Sequence, residues 1–355
     1  MVFDYIIVGN GVAGSCIALN LLINNKKFIV INTNNVVSAT SVSSGLYNPT
    51  VLKRFNLVWR AKDNLLELNK TYSYFESLLN KKYLFPQKIY KIFNSENDLF
   101  AWKKKMIDAS LKDFLRFKEI SSDKNIAYEN GVGEVLCGGR IDVKNLVLDF
   151  KTYLIKNGFF FEDDFIYEQL KLEEDNEFIY YKNFKAKRII FCEGFAIKKN
   201  PYFKYLPVEG NKGEALIVKL KDPIIDIIYK SKVTISHSQD DLNYIGTTYN
   251  FLDKELNPTK SSLEFLTQNL SKLYLNSFEI KKHIVGIRPT VVDRRPILGE
   301  HPTDKRLILF NGLGSRGVMD APLMAKELYQ FLELGKPLSH EISISRFNSK
   351  FAKNI

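Results

Sequence analysis

Short apolar runs at the start of the chain alternate with a glycine turn and a stretch of helical spacing. Residues 5–8 form a run with β-branched residues, which is typical of a buried parallel strand. Three glycines follow at once, then apolar positions at helical spacing over 15–22 and a second apolar run over 28–31. This order predicts a strand, a helix and a strand, the βαβ-type opening of an α/β fold.

Further apolar runs at 188–192 and 307–310 predict buried strands in the middle and near the end of the chain. Amphipathic spacing predicts helices over 60–79, 96–116, 142–156 and 261–274. Clear alternation over 215–220, 224–229, 232–237 and 244–249 predicts an antiparallel sheet. A last helix is expected to have Pro322 in its first turn and Gly335 at its end. Because the strand-and-turn signatures are spread along the chain, we expect discontinuous domains.

The composition is that of an ordinary globular protein. Of 355 residues, 45% are hydrophobic and 26% are charged, which excludes a mainly disordered or collagen-like chain. The three cysteines, Cys16, Cys137 and Cys192, are far apart and form no CxxC. This pattern argues against a disulfide framework or a zinc site and favours a reducing cytoplasm. With no signal peptide and no membrane-length apolar stretch recognised, we expect a cytoplasmic protein without membrane contact.

The net charge of +11 favours anionic partners such as nucleic acid or acidic substrates. A lysine-rich proteome is the simpler explanation, because Asn, Ile, Phe and Tyr are also frequent. The four histidines show no metal-ligand spacing, and no metal site is predicted.

The first glycine turn carries the spacing of a dinucleotide-binding loop. Such a loop needs a tight turn, close backbone approach to a pyrophosphate and a helix N-terminus facing the phosphates. Its position after a strand and before a helix favours this interpretation over a purely structural turn. The candidate cofactor-binding residues here are Gly9, Gly11, Val12, Ala13 and Gly14. Asn32 stands where an acidic residue is expected to bind a ribose hydroxyl; its amide can accept a hydrogen bond but carries no charge.

A second strand, glycine turn and helix follow near the end of the sequence. A helix N-terminus there would stabilise negative charge that develops on a ligand such as a reduced flavin. A glycine-rich loop without a ligand is the alternative. The candidate residues are Gly312, Leu313, Gly314, Ser315, Arg316 and Gly317.

Two further segments suggest binding chemistry. Arg288 precedes a proline, which predicts an extended segment, and its planar guanidinium suits a carboxylate bidentately; a surface arginine is the simpler alternative. Ser43, Ser44 and Gly45 belong to a stretch of small hydroxyl residues that could wrap a phosphate or a flavin ring. Taken alone, that stretch is ordinary loop composition.

Together these motifs resemble, over nearly the whole chain and in the same order, the FAD-dependent family of D-amino-acid oxidases and glycine oxidases. The similarity lies in residues 4–14, 43–49, 192–194, 212–214, 246–249, 286–299, 311–317 and 321–322. It implies that Arg288 anchors the substrate carboxylate and that residues 312–317 lie against the flavin. It also assigns Gly194 to a strand-end turn beside the cofactor. Some members carry an active-site tyrosine on the antiparallel sheet; the matching strand, near 235–237, has none, and Tyr249 is the substitute we name.

The resemblance implies a Rossmann-like FAD-binding domain made of residues 1–50, 139–204 and 286–355. Residues 51–138 and 205–285 would form a substrate domain of antiparallel sheet and helices. FAD would be non-covalent, because no Cys or His stands at a matching attachment position. The implied reaction is oxidation of the C–N bond of a carboxylate-bearing amine by hydride transfer to flavin.

Three other functions remain open at this stage. Residues 314–317 also resemble the FAD half of the enzyme that modifies the wobble uridine of tRNA, which would make tRNA the partner. A non-catalytic dinucleotide-binding protein is a second alternative. An NAD-dependent dehydrogenase is a third, although it leaves the second glycine turn unexplained. The sequence predicts no oligomeric state.

Overall fold

A mixed sheet contains the strands expected at both ends of the chain. The computed structural model describes residues 1–33, 37–119, 124–173 and 177–351. Its first sheet consists of β1 (Val2–Val8), β2 (Phe28–Asn32), β11 (Phe160–Glu162), β12 (Leu170–Leu172), β13 (Ile179–Tyr181), β14 (Phe184–Phe191), β20 (Ile297–Glu300) and β21 (Leu307–Asn311). β1 pairs in parallel with β2 and β14, and β14 pairs in parallel with β21. The βαβ opening is confirmed, because helix α1 (Val12–Ile23) joins β1 to β2.

Both faces of this sheet are buried. On one face Tyr5 and Ile7 pack into a core with α1, α2 (Ala61–Leu79), α4 (Val143–Lys156) and α6 (Gly317–Leu334). On the other face Ile6 and Val8 pack into a second core. Burial on both sides explains why residues 5–8 read as a continuous apolar run. Because β1, β2, β14 and β21 run parallel, their carboxyl ends meet at one edge of the sheet. Ligands bind at this edge in open α/β sheets.

A second, mainly antiparallel sheet lies beside the first. Its order is β19 (Phe278–Val291), β15 (Val208–Leu220), β18 (Leu242–Gly246), β17 (Thr234–His237), β16 (Ile227–Lys230), β7 (Lys88–Ile92), β9 (Val132–Val135) and β8 (Leu115–Lys118). One face packs against helix α5 (Lys260–Leu273) through residues such as Ile235, Ile245 and Leu266. The alternating residues point to the opposite face, which we call the inner face. Register places Gly213, Gly246, Thr234 and Lys230 there.

Small elements complete the described chain. They are the strands β3 (Leu46–Tyr47), β6 (Leu84–Pro86) and β10 (Gly139–Ile141), which form a small sheet, the pair β4 (Thr50–Val51) and β5 (Asn56–Leu57), helices α3 (Glu96–Met106) and α7 (Asn348–Phe351), and 3₁₀ turns at Tyr167–Gln169, Gly194–Lys199 and Ile344–Phe347. In the described part of the chain, no helix combines the length and hydrophobicity that crossing a membrane requires.

Two local predictions are wrong. The helix expected over 96–116 ends at Met106, and strand β8 begins at Leu115. Leu111 and Leu115 pack on Trp102, and their apolar spacing fits a folded-back strand as well as a continuing helix. Pro322 lies in the second turn of α6, because that helix begins at Gly317.

The interior proline is accommodated by a partner from another helix. Pro322 has no N–H to donate, so the carbonyl four residues earlier, that of Val318, lacks its usual donor. The Tyr72 hydroxyl of α2 donates to this carbonyl at 2.8 Å. This bond ties α2 to α6 inside the first core.

The predicted division into two discontinuous domains stays a prediction. The strands of the first sheet fall within 1–50, 139–204 and 286–355, and most of the second sheet falls within the remaining ranges. Strand β19 crosses the boundary at 286. Helix α2, from the range assigned to the substrate domain, packs against α4 and α6 in the core of the first sheet.

Candidate functional site

The first glycine turn has the shape that its spacing predicts. Gly9 follows β1 with φ of +102°, a conformation that L side chains rarely adopt. A Cβ at Gly9 would lie 2.6 Å from the carbonyl oxygen of Cys192. A Cβ at Gly14 would lie 2.0 Å from the carbonyl oxygen of Gly9. The missing side chains let α1 pack directly on the turn.

Side chains from two neighbouring segments hold this turn. The N–H of Asn10 donates to Oδ1 of Asn32 at 3.1 Å, and the N–H of Val12 donates to Oγ1 of Thr40 at 3.1 Å. Asn32 thus lies at the end of β2, beside the turn, and its amide orients the backbone there. Gly11 and Ala13 flank Val12 at the start of α1, where helix N–H groups have no intrahelical acceptor.

The second glycine turn brings another helix N-terminus to the first. Gly312 and Gly314 have φ of +77° and +56°. A Cβ at Gly317, the first residue of α6, would lie 3.2 Å from Cγ1 of Val12. The N-termini of α1 and α6 therefore adjoin, and their partial positive charges add in one place. Leu313 is buried beneath this turn, and Ser315 is exposed at its surface.

Arg316 precedes α6 and is fixed by an acidic residue of the same helix. Its Nε lies 3.2 Å from Oδ2 of Asp320, which is almost fully buried. Burial raises the pKa of Asp320 to about 6, against the opposing effect of Arg316. Asn64 of α2 also donates to Asp320 at 3.2 Å.

The turn after β14 lies at the same edge. Among the described residues other than its chain neighbours, none has a heavy atom within 4 Å of a Cβ built at Gly194, whose φ is +56°, so the space beside it is open. Its carbonyl accepts from Nδ2 of Asn311 at 2.9 Å, which joins the turns that follow β14 and β21. The preceding Glu193 accepts hydrogen bonds from Asn200 at 2.7 Å and from the hydroxyl of Tyr167. Burial nevertheless raises the pKa of Glu193 to about 7.

The stretch of small hydroxyl residues packs against β10 of the small sheet and against β19 of the second sheet. Ser43 Oγ accepts from the N–H of Gly45 at 3.0 Å, and Ser44 Oγ accepts from Leu46 at 3.4 Å. A Cβ at Gly45 would lie 1.8 Å from the carbonyl oxygen of Ile141. Val42, which precedes Ser43, packs closely on Gly286 of β19. A Cβ at Gly286 would lie 2.4 Å from Cγ2 of Val42.

Arg288 lies on β19 and extends across the neighbouring strand. Its guanidinium lies over Gly213, where a Cβ would come within 2.1 Å of Nη2. Nη2 donates to Oγ1 of Thr247 at 2.7 Å, and Nη1 donates to Oδ1 of Asn211 at 3.1 Å and to the Thr248 carbonyl at 3.4 Å. All three acceptors are neutral, so the positive charge stays available to an anion.

Two tyrosines adjoin this arginine. The guanidinium carbon lies 4.7 Å from the ring centroid of Tyr249, which is exposed and follows the end of β18. Tyr244, on β18 itself, is buried and hydrogen-bonds to Thr247, the residue that holds Arg288. Burial raises the pKa of Tyr244, so its hydroxyl stays protonated at neutral pH.

The family model described as "DAO: FAD dependent oxidoreductase" matches residues 4–330. The chain belongs to this family. Glycine oxidase of Bacillus subtilis is 24% identical over 194 residues, 50% of this chain and 51% of that protein. The bifunctional protein ThiO/ThiG of Trichormus variabilis is 27% identical over 154 residues, 41% of this chain and 24% of that protein. The matches thus span about half and a quarter of these curated relatives.

Solved structures show the same DAO-family fold. Glycine oxidase of Geobacillus kaustophilus superposes with a TM-score of 0.78 at 16% identity, covering 95% of this chain and 96% of that one. Iminodiacetate oxidase of Chelativorans sp. BNC1 gives a TM-score of 0.77 at 16% identity, with coverage of 94% and 96%. The expected fold class, a Rossmann-like α/β part with an antiparallel sheet and helices, is confirmed.

The residues present fit the FAD of a DAO-family oxidoreductase. Two helix N-termini adjoin at the edge of a parallel sheet, side-chain-free glycines line both turns, and the space beside Gly194 is open. The predicted cofactor residues of the segments 9–14 and 312–317 lie at this edge, and the 38–45 segment reaches it through the bond from the N–H of Val12 to Thr40. Arg288 approaches from the second sheet, whose residue Gly286 touches the 38–45 segment.

The sequence did not identify three polar neighbours of Arg288: Asn211, Tyr244 and Thr247. Asn211 pairs with Arg288 across β15 and β19, a register that no local pattern specifies. Alternation along β18 could have placed Tyr244 on the same face as Gly246. That signal was present, but the prediction extended the strand to 249 and pointed to Tyr249 instead.

Proposed function

We propose that the chain oxidises the C–N bond of a small amine that carries a carboxylate, with the carboxylate bound by Arg288. The observation that supports this most is the state of that guanidinium, which is positioned by three neutral acceptors and one aromatic ring. An arginine so fixed and not neutralised is preorganised for a bidentate anion.

The neighbours of Arg288 have distinct parts in the proposal. Gly213 leaves the space in which the guanidinium lies, and Thr247 fixes its Nη2. Tyr244 hydrogen-bonds to Thr247 and thereby helps to orient it. FAD, when bound, supplies the two-electron acceptor for the hydride that leaves the carbon next to nitrogen. The protein's contribution is therefore orientation of the amine, since a fixed carboxylate determines which C–H bond faces the cofactor.

We favour a free amino acid or N-substituted glycine over tRNA as the substrate. The resembling structures carry names that refer to glycine and iminodiacetate, both small carboxylate-bearing amines. A nucleic-acid partner is supported by the net charge of +11 and by the resemblance of residues 314–317 to the tRNA-modifying enzyme. A tRNA substrate predicts binding that weakens steeply with salt, so a gel shift with tRNA between 50 and 200 mM salt, about the range where such binding changes most, separates the two.

The direct test is anaerobic reduction of the bound FAD, followed by visible absorption. Glycine, N-methylglycine and D-alanine should bleach the flavin, and amines of equal size without a carboxylate should not. The variant R288A should lose most of this discrimination, because the cation that would bind the carboxylate is removed. If every one of these amines left the flavin oxidised, the proposed reaction would be wrong.

Non-covalent binding of FAD belongs to the same proposal. Cys16 lies on α1 just after the glycine turn, and Cys192 packs against Gly9 and Gly14. Both cysteines are free and buried, and burial raises their thiol pKa values. A buried neutral thiol is a poor nucleophile for attachment. Denaturing the protein should release the flavin spectrum into the supernatant. Free cysteines also agree with the reducing cytoplasm that the sequence predicts.

A further inference from the structure

Two lysines face each other on adjacent strands of the inner face. β16 and β7 pair in parallel, and Lys230 lies directly opposite Lys91. Lys91 is only 7% exposed, and Lys230 is partly exposed. Like charges directly opposite each other in a sheet are destabilising, and burial increases that cost.

The hydrogen bonds of the two ammonium groups do not neutralise them. Lys230 Nζ donates to Oγ1 of Thr234 at 2.8 Å, and Lys91 Nζ donates to the Ile92 carbonyl at 2.9 Å. Within the described residues neither lysine forms an ion pair with a carboxylate; Asp98 affects Lys91 only over a longer distance. Desolvation, Lys91 and Arg288 together lower the pKa of Lys230 to about 8. The pair is therefore a concentrated positive charge without an internal counter-ion.

This charge lies close to the guanidinium of Arg288. Three strands lie between β19, which carries Arg288, and β16, which carries Lys230. The two side chains extend toward each other across these strands. Arg288 bonds to Thr247, one residue beyond Gly246, and Lys230 bonds to Thr234, which pairs directly with Gly246. Thr234 and the Gly246–Thr247 segment belong to neighbouring strands, which are about 4.8 Å apart. Because each charged end bonds to its threonine, the two charged ends are separated by roughly 5–10 Å.

An unsatisfied hydroxyl lies on the same strand as Thr234. Ser236 points to the inner face two residues further along β17 and is 0% exposed. Its Oγ has no hydrogen-bond partner among the described residues. A buried hydroxyl without a partner costs free energy, which a ligand oxygen can recover. This second observation is independent of the lysines.

We propose that the substrate is dianionic, with one carboxylate on Arg288 and a second anionic group held by Lys230 and Lys91. This inference rests on the proposed function and defines its substrate class. The span of roughly 5–10 Å suits a small amine whose two acidic groups are a few bonds apart, as in an amino dicarboxylic acid. Thr234 and Ser236 would supply hydroxyl donors to the second group.

The test compares matched substrates in the FAD-bound protein. D-glutamate is paired with D-glutamine, which has the same shape and one negative charge fewer. Iminodiacetate is paired with N-methylglycine, which lacks the second carboxylate group. The variants are K230M and K91M, with K232M as the control, because Lys232 is an exposed lysine in the same hairpin. We expect wild-type kcat/KM to favour the dianion, and each of the first two variants to lower that value about 10- to 100-fold for the dianion only.

Equal losses for both members of a pair would overturn the inference, because the lysines would then serve the cofactor or the fold. Wild-type kcat/KM that does not favour the dianion would overturn it as well. Since replacing one lysine removes repulsion, K230M should not lower the melting temperature of the ligand-free protein.

Failure of the proposed function is detected separately. If no amine reduces the flavin, binding of the non-oxidisable anions glutarate and butyrate is measured from the perturbation of the flavin absorbance. Tighter binding of glutarate, lost in K230M, would support the dianion site even then. Equal binding of glutarate and butyrate to wild type would refute it, and this measurement needs no variant to fold.

Discussion

Replacing Gly213 by alanine tests whether the space under Arg288 is needed for substrate binding. The new Cβ would lie 2.1 Å from Nη2 and 2.4 Å from Cζ and Nη1 of Arg288. Ordinary contact begins near 3.4 Å, so the guanidinium must withdraw by roughly 1.3 Å, the difference between 3.4 and 2.1. That movement is enough to break the 2.7 Å bond to Thr247.

The expected effect falls on KM and not on stability. A hydrogen bond to a charged group contributes about 1.5–3 kcal/mol, so losing the aligned carboxylate contact should raise KM by about 10- to 150-fold. The group displaced is the end of a flexible side chain, and glycine within a strand is slightly destabilising. The melting temperature of G213A should therefore equal or exceed that of wild type.

The measurement is KM from steady-state kinetics of amine oxidation by G213A and wild type, with FAD occupancy checked by absorbance. The double variant G213A/R288A provides the control, because both changes act through one guanidinium and their effects should not add. KM unchanged in G213A would refute the steric argument. A double variant much worse than R288A alone would show that Gly213 acts through some other contact.

Three further predictions concern the cofactor turn and the titrating groups. The variant G14A should lower both FAD content and melting temperature, because its Cβ would lie 2.0 Å from the backbone oxygen of Gly9; normal FAD content in purified G14A would contradict this. Burial raises the pKa of Glu193 from 4.5 to about 7, so between these pH values the folded state binds a proton that the unfolded state does not. The free energy of unfolding therefore falls as pH rises from about 4.5 to 7. Denaturant melts of E193Q should lack this component, and an identical pH slope would count against it. Desolvation, Lys91 and Arg288 lower the pKa of Lys230 to about 8, so Lys230 loses its positive charge as pH rises from 7 to 9. Glutarate binding should therefore weaken over this range. The same pH profile in K230M would refute the assignment of Lys230 to the second anionic group.

Local sequence predicted the parts of the fold that depend on local geometry. The turn at Gly9 needs a positive φ and a Cα without a side chain, and glycine is the residue that meets both requirements. The helix predicted over 142–156 also begins at a local feature, because the Asp142 carboxylate caps it by accepting from the N–H of Asn145. Such features are encoded within a few residues.

The parts that were missed depend on pairing between distant strands. Lys230 and Lys91 are ordinary lysines in the sequence, and only the parallel pairing of β16 with β7 brings them face to face. The alternation along β18 indicates the face of Tyr244, but its position beside Thr247 and Arg288 depends on how β18 pairs with the strands on both sides. Leu115 was assigned to a helix because one apolar spacing fits two structures until the neighbouring strand is known. Register is a property of the whole sheet, which explains these errors.

The meeting of two helix N-termini at Val12 and Gly317 has a consequence for how the protein acquires its cofactor. One terminus lies at the beginning of the chain and the other some 300 residues later, and β1 also needs β14 as its partner. During synthesis the early turn is therefore made long before the turn that completes it. FAD capture should be a late event in folding, and the appearance of bound flavin during refolding should report the meeting of these two distant turns.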